Sequence, residues 1–453
     1  MTRQSMSLWD RFLFRDRGIL PGKRLLIGMF ILSLALAAAA AIWGVPWKLA
    51  AGLNIGFLLL SFADLAFLPK SSQIRLKRRV PEEMERGLPA DVGIEIENHS
   101  RLPLTLRIID DLSDSFARPF PLKRKLAGNT RGTVQYETAA SIRGHYTLNR
   151  IYIRCSSFLG LWEKQMVKEA ESQVKVIPDL TETRRYLENA QSYLLYEGEK
   201  IRRQQSGAGE FSKIRAYAPG DDPRKINWRQ TAKLQEVMAN VHEPEHGKYV
   251  TIMIDCGRIM GAELETGNRL EKALEAAMTT AAAALKNGDY VSVLAFSKDI
   301  QSYVPPSKGM QHLNFILKSL YSIQADAAES NYSGAFQYLQ SVQNKRSLLL
   351  LFSDVRTFTL EEGALVYLKR IRQRHLFFML GIEDNILSAR AKDRPDTIKS
   401  AMLKSMAQQQ ILIAKREKLR WEKQGLQMAE APEGSLAAAA VSHYINVLNR
   451  GLL

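Results

Sequence analysis

Two long apolar runs dominate the beginning of the hydrophobic pattern. Leu25–Trp43 is 19 residues without a charge, and Leu49–Leu68 is 20 residues with one, Asp64. Each has about the ~20 residues a helix needs to cross a ~30 Å hydrocarbon core. Between them Gly44-Val45-Pro46-Trp47-Lys48 reads as a tight turn, and the Trp pair flanking it suits a headgroup region. The alternatives are a buried pair of core helices or, for the first run alone, a signal peptide. The second run, following at once, disfavours the signal peptide. The pattern predicts a transmembrane helical hairpin over 25–68 (helices 25–43 and 49–68) behind a basic segment 1–24.

From about Ile74 to Pro178 the period falls to two. VGIEIEN (92–98), LPLTLRIID (102–110), GTVQYET (132–138), GHYTLNRIYIRC (144–155) and SQVKVIP (172–178) alternate apolar and polar residues, with turn-prone breaks at 98–100, 128–129 and 143–144. Short alternating runs of this kind predict an antiparallel, β-sandwich-like domain over 71–178. Residues 179–246 form a polar linker.

After Gly247 continuous apolar strands alternate with helices. KYVTIMID (248–255), YVSVLAFS (290–297), RSLLLLFSD (346–354) and HLFFMLGIED (375–384) read as buried strands. Helical patterns fall at 268–288, 310–323, 333–343 and 360–374. The fold class is therefore α/β, with a C-terminal doubly wound parallel sheet over 247–453 covered on both faces. An amphipathic basic helix at 396–424, a short strand LQMAE and a last helix from Ser435 to Asn449 are read as completing that domain; a separate lipid-binding helix is the alternative for the first.

Charge sharpens the picture at the N-terminus. The net charge is +16, and residues 1–80 hold 12 Lys/Arg against three Asp/Glu, beside the apolar runs. Arg11, Arg15, Arg17, Lys23 and Arg24 precede the first run, and Lys70, Arg75, Lys77, Arg78 and Arg79 follow the second, whereas the turn carries only Lys48. Counting basic residues puts both ends in the cytoplasm. Asp64, near the cytoplasmic end of its helix, is expected to reach the headgroups. The lipid bilayer, not nucleic acid, is the partner this charge suggests, because no basic-aromatic stripe accompanies it. Cys155 and Cys256 stand far apart without a second ligand type, which argues against a disulfide framework or structural zinc.

One loop is dense in charge and aromatic residues: GEFSKIRAYAPGDDPRKINWRQTAK (209–233). Arg215, Tyr217, Pro219, Gly220, Asp221, Asp222, Arg224 and Trp228 suggest a structural clamp with internal ion pairs and Trp packing; a docking surface is the alternative. The run resembles the signature of the bacterial family of domain of unknown function 58 (DUF58): Arg-x-Tyr, Pro-Gly-Asp-Asp-x-Arg, then Ile226-x-Trp228, with Ala232 and Lys233 where the family usually has a small residue and Arg. Segments 143–153 and 158–164, the paired spans and the later α/β pattern are similar to the family too. The resemblance implies a von Willebrand factor A-like fold after the motif. It also implies frequent association with a MoxR-type AAA ATPase, but no settled activity.

Asp255 and Asp354 end strands, where ligands of such sheets bind. Metal-binding A-domains carry Asp-x-Ser-x-Ser at the first of these; here Gly257 and Ile259 replace both hydroxyls. Two carboxylates beside Arg258 and Arg356 could pair with guanidinium groups instead. No cofactor is expected, with Mg²⁺ or Mn²⁺ the candidates for such an oxygen set. His242-Glu243-Pro244-Glu245-His246 matches a zinc-protease string, but Pro244 cannot sit inside the helix that chemistry needs. Ser206, in QQSGAGE, lacks the first Gly of a nucleophile elbow. The sequence thus points to a non-enzymatic interaction scaffold in the bacterial inner membrane, multi-pass, with both termini cytoplasmic. It would contact an AAA ATPase and other membrane proteins. A metal-dependent hydrolase or ligand-binding A-domain using Asp255 and Asp354, and a nucleic-acid binder resting on charge alone, are the alternatives.

Overall fold

The computed structural model describes residues 18–157, 159–190, 210–218, 221–243, 247–360 and 362–453. Arg11, Arg15 and Arg17, the loop holding Ser206, the motif residues Pro219 and Gly220, and His246 lie outside the described residues. The chain divides into two compact units, Met1–Ile177 and Pro178–Leu453.

In the first unit the apolar runs form helices α1 (Lys23–Trp43) and α2 (Trp47–Ser61), the latter continuing as a 3₁₀ segment, Phe62–Phe67. Gly44, with φ of 65°, ends α1, and Pro46 opens α2. Ser33 Oγ donates to Asn54 Oδ1 at 2.9 Å across the pair, and Asn54 Nδ2 donates to Ala50 O at 3.1 Å. Polar links of this kind hold helices together where apolar packing alone gives no preference over lipid. Leu26, Phe30, Ile31, Leu34, Leu53 and Leu60 are all exposed. A buried Leu or Phe gains about 1.5–3 kcal/mol, so a core helix pair would not leave so many bare. Both helices are long and apolar enough to cross a membrane, and the two are consistent with membrane anchoring.

The alternating segments fold into two facing sheets. One has the order β1-β9-β8-β5-β6, with β3 also on β9; the other is β2-β4-β7. The strands are β1 (Ile19–Pro21), β2 (Ile74–Arg79), β3 (Glu83–Glu85), β4 (Ala90–Asn98), β5 (Leu104–Asp110), β6 (Leu122–Leu126), β7 (Thr130–Thr138), β8 (Gly144–Ser156) and β9 (Trp162–Ile177). Val92, Ile94 and Ile96 of β4 join Leu106, Ile108, Ile153 and Val174 in one core, as period-two burial requires. A buried Arg78–Asp110 pair sits in the same unit. Tyr136 also donates to Asp110, at 2.7 Å, and Arg78 reaches the carbonyls of Leu148 and Arg150 at 2.8 and 2.9 Å. Each buried charge is thereby compensated.

The second unit begins with α3 (Thr181–Glu188) and a hairpin of β10 (Glu210–Ala216) and β11 (Met238–Glu243), which carries the short helix α4 (Trp228–Leu234) between its strands. Next come β12 (Tyr249–Asp255), a two-strand excursion β13 (Glu263–Leu264) and β14 (Gly267–Asn268), α5 (Arg269–Lys286), β15 (Tyr290–Phe296) and β16 (Ile300–Ser307). After α6 (Gln311–Leu320) and α7 (Tyr332–Val342) follow β17 (Ser347–Phe352), α8 (Val355–Leu360), α9 (Glu362–Arg374) and β18 (Leu376–Ile382). The unit closes with α10 (Asn385–Lys392), α11 (Ile398–Lys423), β19 (Gln427–Ala431) and α12 (Leu436–Asn449). The sheet order is β16-β15-β12-β17-β18-β19.

All pairings in this sheet are parallel except β15 with β16. That edge strand departs from the all-parallel sheet expected from the sequence. It contains Pro305 and Pro306, which an edge position tolerates because one side of the strand needs no hydrogen bonds. The alanine-rich α5 is buried along nearly its whole length. The strand β19 and helix α12 complete the domain as expected, with Val441 and Tyr444 fully buried. The helix α11 does not: of its 26 residues only Ala407 and Trp421 are buried.

Candidate functional site

The sheet order reverses between β12 and β17: the chain leaves β12 toward β15 on one side and returns on the other to β17. Open α/β sheets bind ligands in the crevice such a reversal opens at the strands' carboxyl ends. Asp255 ends β12 and Asp354 follows β17 by two residues, so both candidate carboxylates reach this crevice, and both are buried.

Donors of the chain itself surround them. Asp255 accepts hydrogen bonds from Gly257 N at 2.8 Å, Tyr332 Oη at 2.8 Å, Ser353 Oγ and Ser330 Oγ. Burial and the Asp255 charge push the Tyr332 phenol well above its ordinary range, which keeps it a proton donor. Asp354 is paired with Arg269 and accepts from Thr357 N and Oγ1 at 3.0 and 2.9 Å. Arg356 lies 3.5 Å from Asp354 and 2.9 Å from Asp384. Burial alone would raise the Asp354 pKa; Arg269, Arg356 and the Thr357 bonds outweigh it and hold the carboxyl below its usual range.

Of the two arginines the sequence placed beside these carboxylates, Arg356 is there, whereas Arg258 points away and pairs with Glu329 at 3.1 Å. Arg269, the main partner of Asp354, was not foreseen. It opens α5, where helical periodicity gives no hint that its guanidinium turns back to a strand end. A cavity of about 10 Å³ lined by Arg269, Ser353 and Asp354 has room for about one water molecule. Among the described residues, no group of three or more His, Cys, Asp or Glu is placed to hold a metal ion.

Gly257 explains part of the altered motif. A Cβ built there would lie 2.0 Å from Ser330 Oγ, so the hydroxyl from residue 330 fills the space that a side chain at 257 would take. Replacing Gly257 with Ala should turn Ser330 away from Asp255 and cost about 1.5–3 kcal/mol, the worth of a hydrogen bond to a charged group. The Gly257→Ala/Ser330→Ala double variant should be no less stable than Ser330→Ala alone; thermal melts showing two additive losses would contradict the shared cause.

The Arg-Asp loop is built on the β10–β11 hairpin. Arg215 pairs with Asp221 at 2.7 Å, Ala218 N donates to the same carboxylate at 2.9 Å, and Tyr217 Oη donates to Asp221 O at 2.9 Å. The bond from Arg215, then that from Ala218, holds the Asp221 carboxyl below its ordinary value. Asp222 accepts from Arg224 N at 2.9 Å, and Asn227 caps α4 through Gln230 N at 3.1 Å. The internal ion pair matches the expected clamp. The expected Trp packing does not occur: Trp228 is 70% exposed, and Arg224, Arg229, Lys233 and Leu234 are exposed with it. The backbone of His242 and Glu243 pairs with β10, a strand and not the helix a zinc-protease string needs.

A third constellation lies in the first unit, where the sequence placed Asp64 among headgroups. The carboxylate turns instead into the protein. Its Oδ2 accepts from Ser157 Oγ, Leu161 N at 3.0 Å and Trp162 N at 3.2 Å. Trp162 Nε1 donates to Ser61 O at 3.0 Å, and its ring stacks on Phe62 with centroids 5.3 Å apart. The start of α1 meets the same loop: Gly22 N donates to Leu161 O at 2.7 Å, and Arg24 Nη1 to Leu159 O at 3.0 Å. A Cβ at Gly22 would lie 2.5 Å from Gly160 O, so only glycine permits this approach. Both ends of the apolar hairpin are thus fastened to one loop of the sandwich.

The uncharacterized protein YeaD of Bacillus subtilis (strain 168) is 24% identical over 208 residues, which cover 44% of this chain and 47% of YeaD; the match thus spans about half of that relative. Among solved structures, the conserved hypothetical protein BatB from Bacteroides thetaiotaomicron is 18% identical and covers 45% of this chain and 100% of that one, with a TM-score of 0.30. A PapD-like domain of human CEP192 is 13% identical and covers 24% of this chain and 89% of that one, with a TM-score of 0.17. The family model described as "Protein of unknown function DUF58" matches residues 213–396, from β10 through the strand-end carboxylates to α10, and in that segment the chain is similar to this family.

Proposed function

We propose that this protein is a membrane-anchored interaction scaffold without chemistry of its own, whose second unit is a von Willebrand factor A-like domain that docks a MoxR-type AAA ATPase from the cytoplasm during assembly or maturation of other complexes. The observation that carries this reading is the contrast between the two halves of the family segment. At the strand ends, where a ligand would bind, Asp255 and Asp354 are occupied by Tyr332, Ser330, Ser353, Arg269 and Thr357, and the cavity beside Asp354 is about 10 Å³. On the hairpin, Trp228 stands bare among exposed Arg224, Arg229 and Lys233 on a loop stiffened by Arg215 and Asp221. An exposed aromatic among guanidinium groups on a rigid base is the composition of a protein-binding hot spot.

The sheet order, with its reversal beside β12, supports the A-like reading. Orientation is supported by the basic residues at both ends of the hairpin and by the attachment of both ends to one loop. The test is capture of a MoxR-type AAA ATPase by the full chain from native membranes, with and without ATP. Trp228→Ala should weaken capture by about 2 kcal/mol, roughly thirtyfold, with an unchanged melting temperature. Reproducible absence of the ATPase would overturn the reading. So would stoichiometric metal, by elemental analysis, that is lost in Asp255→Asn; that result would favour the hydrolase alternative.

A further inference from the structure

Helix α11 presents a surface that the domain does not use. Trp421 packs into the core and donates from Nε1 to Thr359 O at 3.2 Å, and Ala407 is buried on the same side. On the other side Ile398, Met402, Met406 and Ile413 recur at helical spacing, and Leu412 and Leu419 flank them. Ile398 is 83% exposed, Leu412 67% and Met402 66%. Seven basic residues (Lys399, Lys404, Lys415, Arg416, Lys418, Arg420 and Lys423) stand against two acidic ones, Glu417 and Glu422, over the 26 residues. Leu412 and Leu419 line an open groove with Lys415, Arg416, Arg420 and Lys423.

We propose that α11 lies along the surface of an anionic bilayer, a claim that rests on the membrane-anchored reading above. Charge complementarity selects this occupant. Protein interfaces are depleted in lysine, whereas helices that lie in a lipid interface combine bare Met, Ile and Leu with several Lys and Arg. A second copy of the helix would bring two like-charged surfaces together. The hairpin supplies the remaining argument: a chain already tethered to a bilayer meets that surface at high effective concentration, so modest affinity is enough. Five of the seven basic residues fall at 415–423, where anionic headgroups neutralise them, while the bare Ile398, Met402, Met406, Leu412 and Ile413 of the preceding turns enter the boundary between headgroups and acyl chains. The second unit is then held against the membrane at a point well separated in sequence from its anchor.

The test uses the full chain reconstituted in phosphatidylcholine vesicles with and without phosphatidylglycerol. An environment-sensitive fluorophore is attached at Met406→Cys or, as a second site, Leu412→Cys; the native Cys155 and Cys256 are buried. Both probes should shift to shorter wavelength and become accessible to lipid-soluble quenchers only with phosphatidylglycerol, and high salt should reverse the shift. Combined charge reversal at Lys415, Arg416, Arg420 and Lys423 should weaken the response about tenfold or more, with unchanged far-ultraviolet dichroism. A chain that floats with both vesicle types while its probes stay water-exposed would overturn the proposal and leave the anchoring intact. Probes shielded equally without phosphatidylglycerol would indicate a protein contact and also overturn it. Failure to float with neutral vesicles would sink the anchoring reading itself.

Discussion

Replacing Arg269 with methionine should lower the stability of the second unit by about 3–5 kcal/mol, the cost of removing one partner of a buried ion pair. Asp354 would remain buried beyond the end of β17, with Arg356 at 3.5 Å as its remaining guanidinium and the two Thr357 bonds as its short contacts among the described residues. The loss depends on pH with a definite sign. In the wild type the Asp354 carboxyl is held below its ordinary value. Its contribution is therefore fully present above the unfolded value of about 4 and declines as pH falls through the lower folded value. In Arg269→Met the uncompensated carboxylate is penalised most at neutral pH, and protonation relieves it. The gap between variant and wild type should narrow as denaturant melts are repeated at falling pH. A gap that widens in acid would show that Asp354 is not the group left stranded. The double variant Arg269→Met/Asp354→Leu should recover most of the loss, because a packed apolar pair avoids the desolvation that both charges incur. If the recovery is accompanied by lost metal or ligand binding, the crevice has a role beyond holding the strand ends together.

The legible parts of the chain are those where one period persists. Strands β4, β5, β7 and β8 of the sandwich and β12, β15, β17, β18 and β19 of the α/β sheet fall within a few residues of their apolar runs, as do α5, α7, α9 and α12, because burial on one or both faces writes itself into the sequence. What escaped was structure decided by a partner distant in sequence. The edge strand β16 contains two prolines and alternates poorly, and only its pairing with β15 makes it a strand. β1 and β3 are three residues each, too short for any period, and exist because β9 offers its edge. The amphipathic reading of α11 was right about a helix and wrong about what its apolar residues face, since spacing cannot distinguish a core from another apolar surface. At the candidate site the acidic residues were evident from their places at strand ends. Two of their partners were not: Ser330 comes from the loop before α7 and Arg269 from the start of α5, and no local pattern marks a hydroxyl or guanidinium that folds back onto a strand 75 or more residues away. Trp228 failed for the opposite reason. A tryptophan among charges is usually assigned to packing, and here the loop is closed by Arg215, Tyr217 and Asp221 without it.

The same kind of distant partner governs how the apolar hairpin meets the sandwich, and Asp64→Ala is its most direct test. The substitution leaves a buried hydroxyl and two backbone amides, at Ser157, Leu161 and Trp162, without their acceptor. Each unsatisfied buried donor costs about 1–3 kcal/mol; with some relaxation of the loop, a total of about 3–4 kcal/mol is expected in melts of the detergent-solubilised full chain. Asp64→Asn should lose less, because an amide oxygen can still accept at the same place, although its NH₂ then needs a partner where Oδ1 has none. Location distinguishes this loss from general destabilisation. The Gly22–Leu161, Arg24–Leu159 and Trp162–Ser61 bonds converge on one loop, so loosening that loop should free both ends of the hairpin together. Limited proteolysis should then cut between β8 and β9 and around Gly22 in the variant, while the strands of β2-β4-β7 stay protected in hydrogen exchange. Cuts spread evenly through the sandwich would show that Asp64 serves only its overall stability. A variant with wild-type melting and an intact 157–162 loop would show that the carboxylate does not register the spans on the sandwich at all. The rigidity of that junction matters for the scaffold reading. If the hairpin is fixed to the sandwich by short hydrogen bonds and a stacked Phe62–Trp162 pair, the sandwich keeps a set distance and angle to the bilayer, and the point from which the second unit departs is fixed as well.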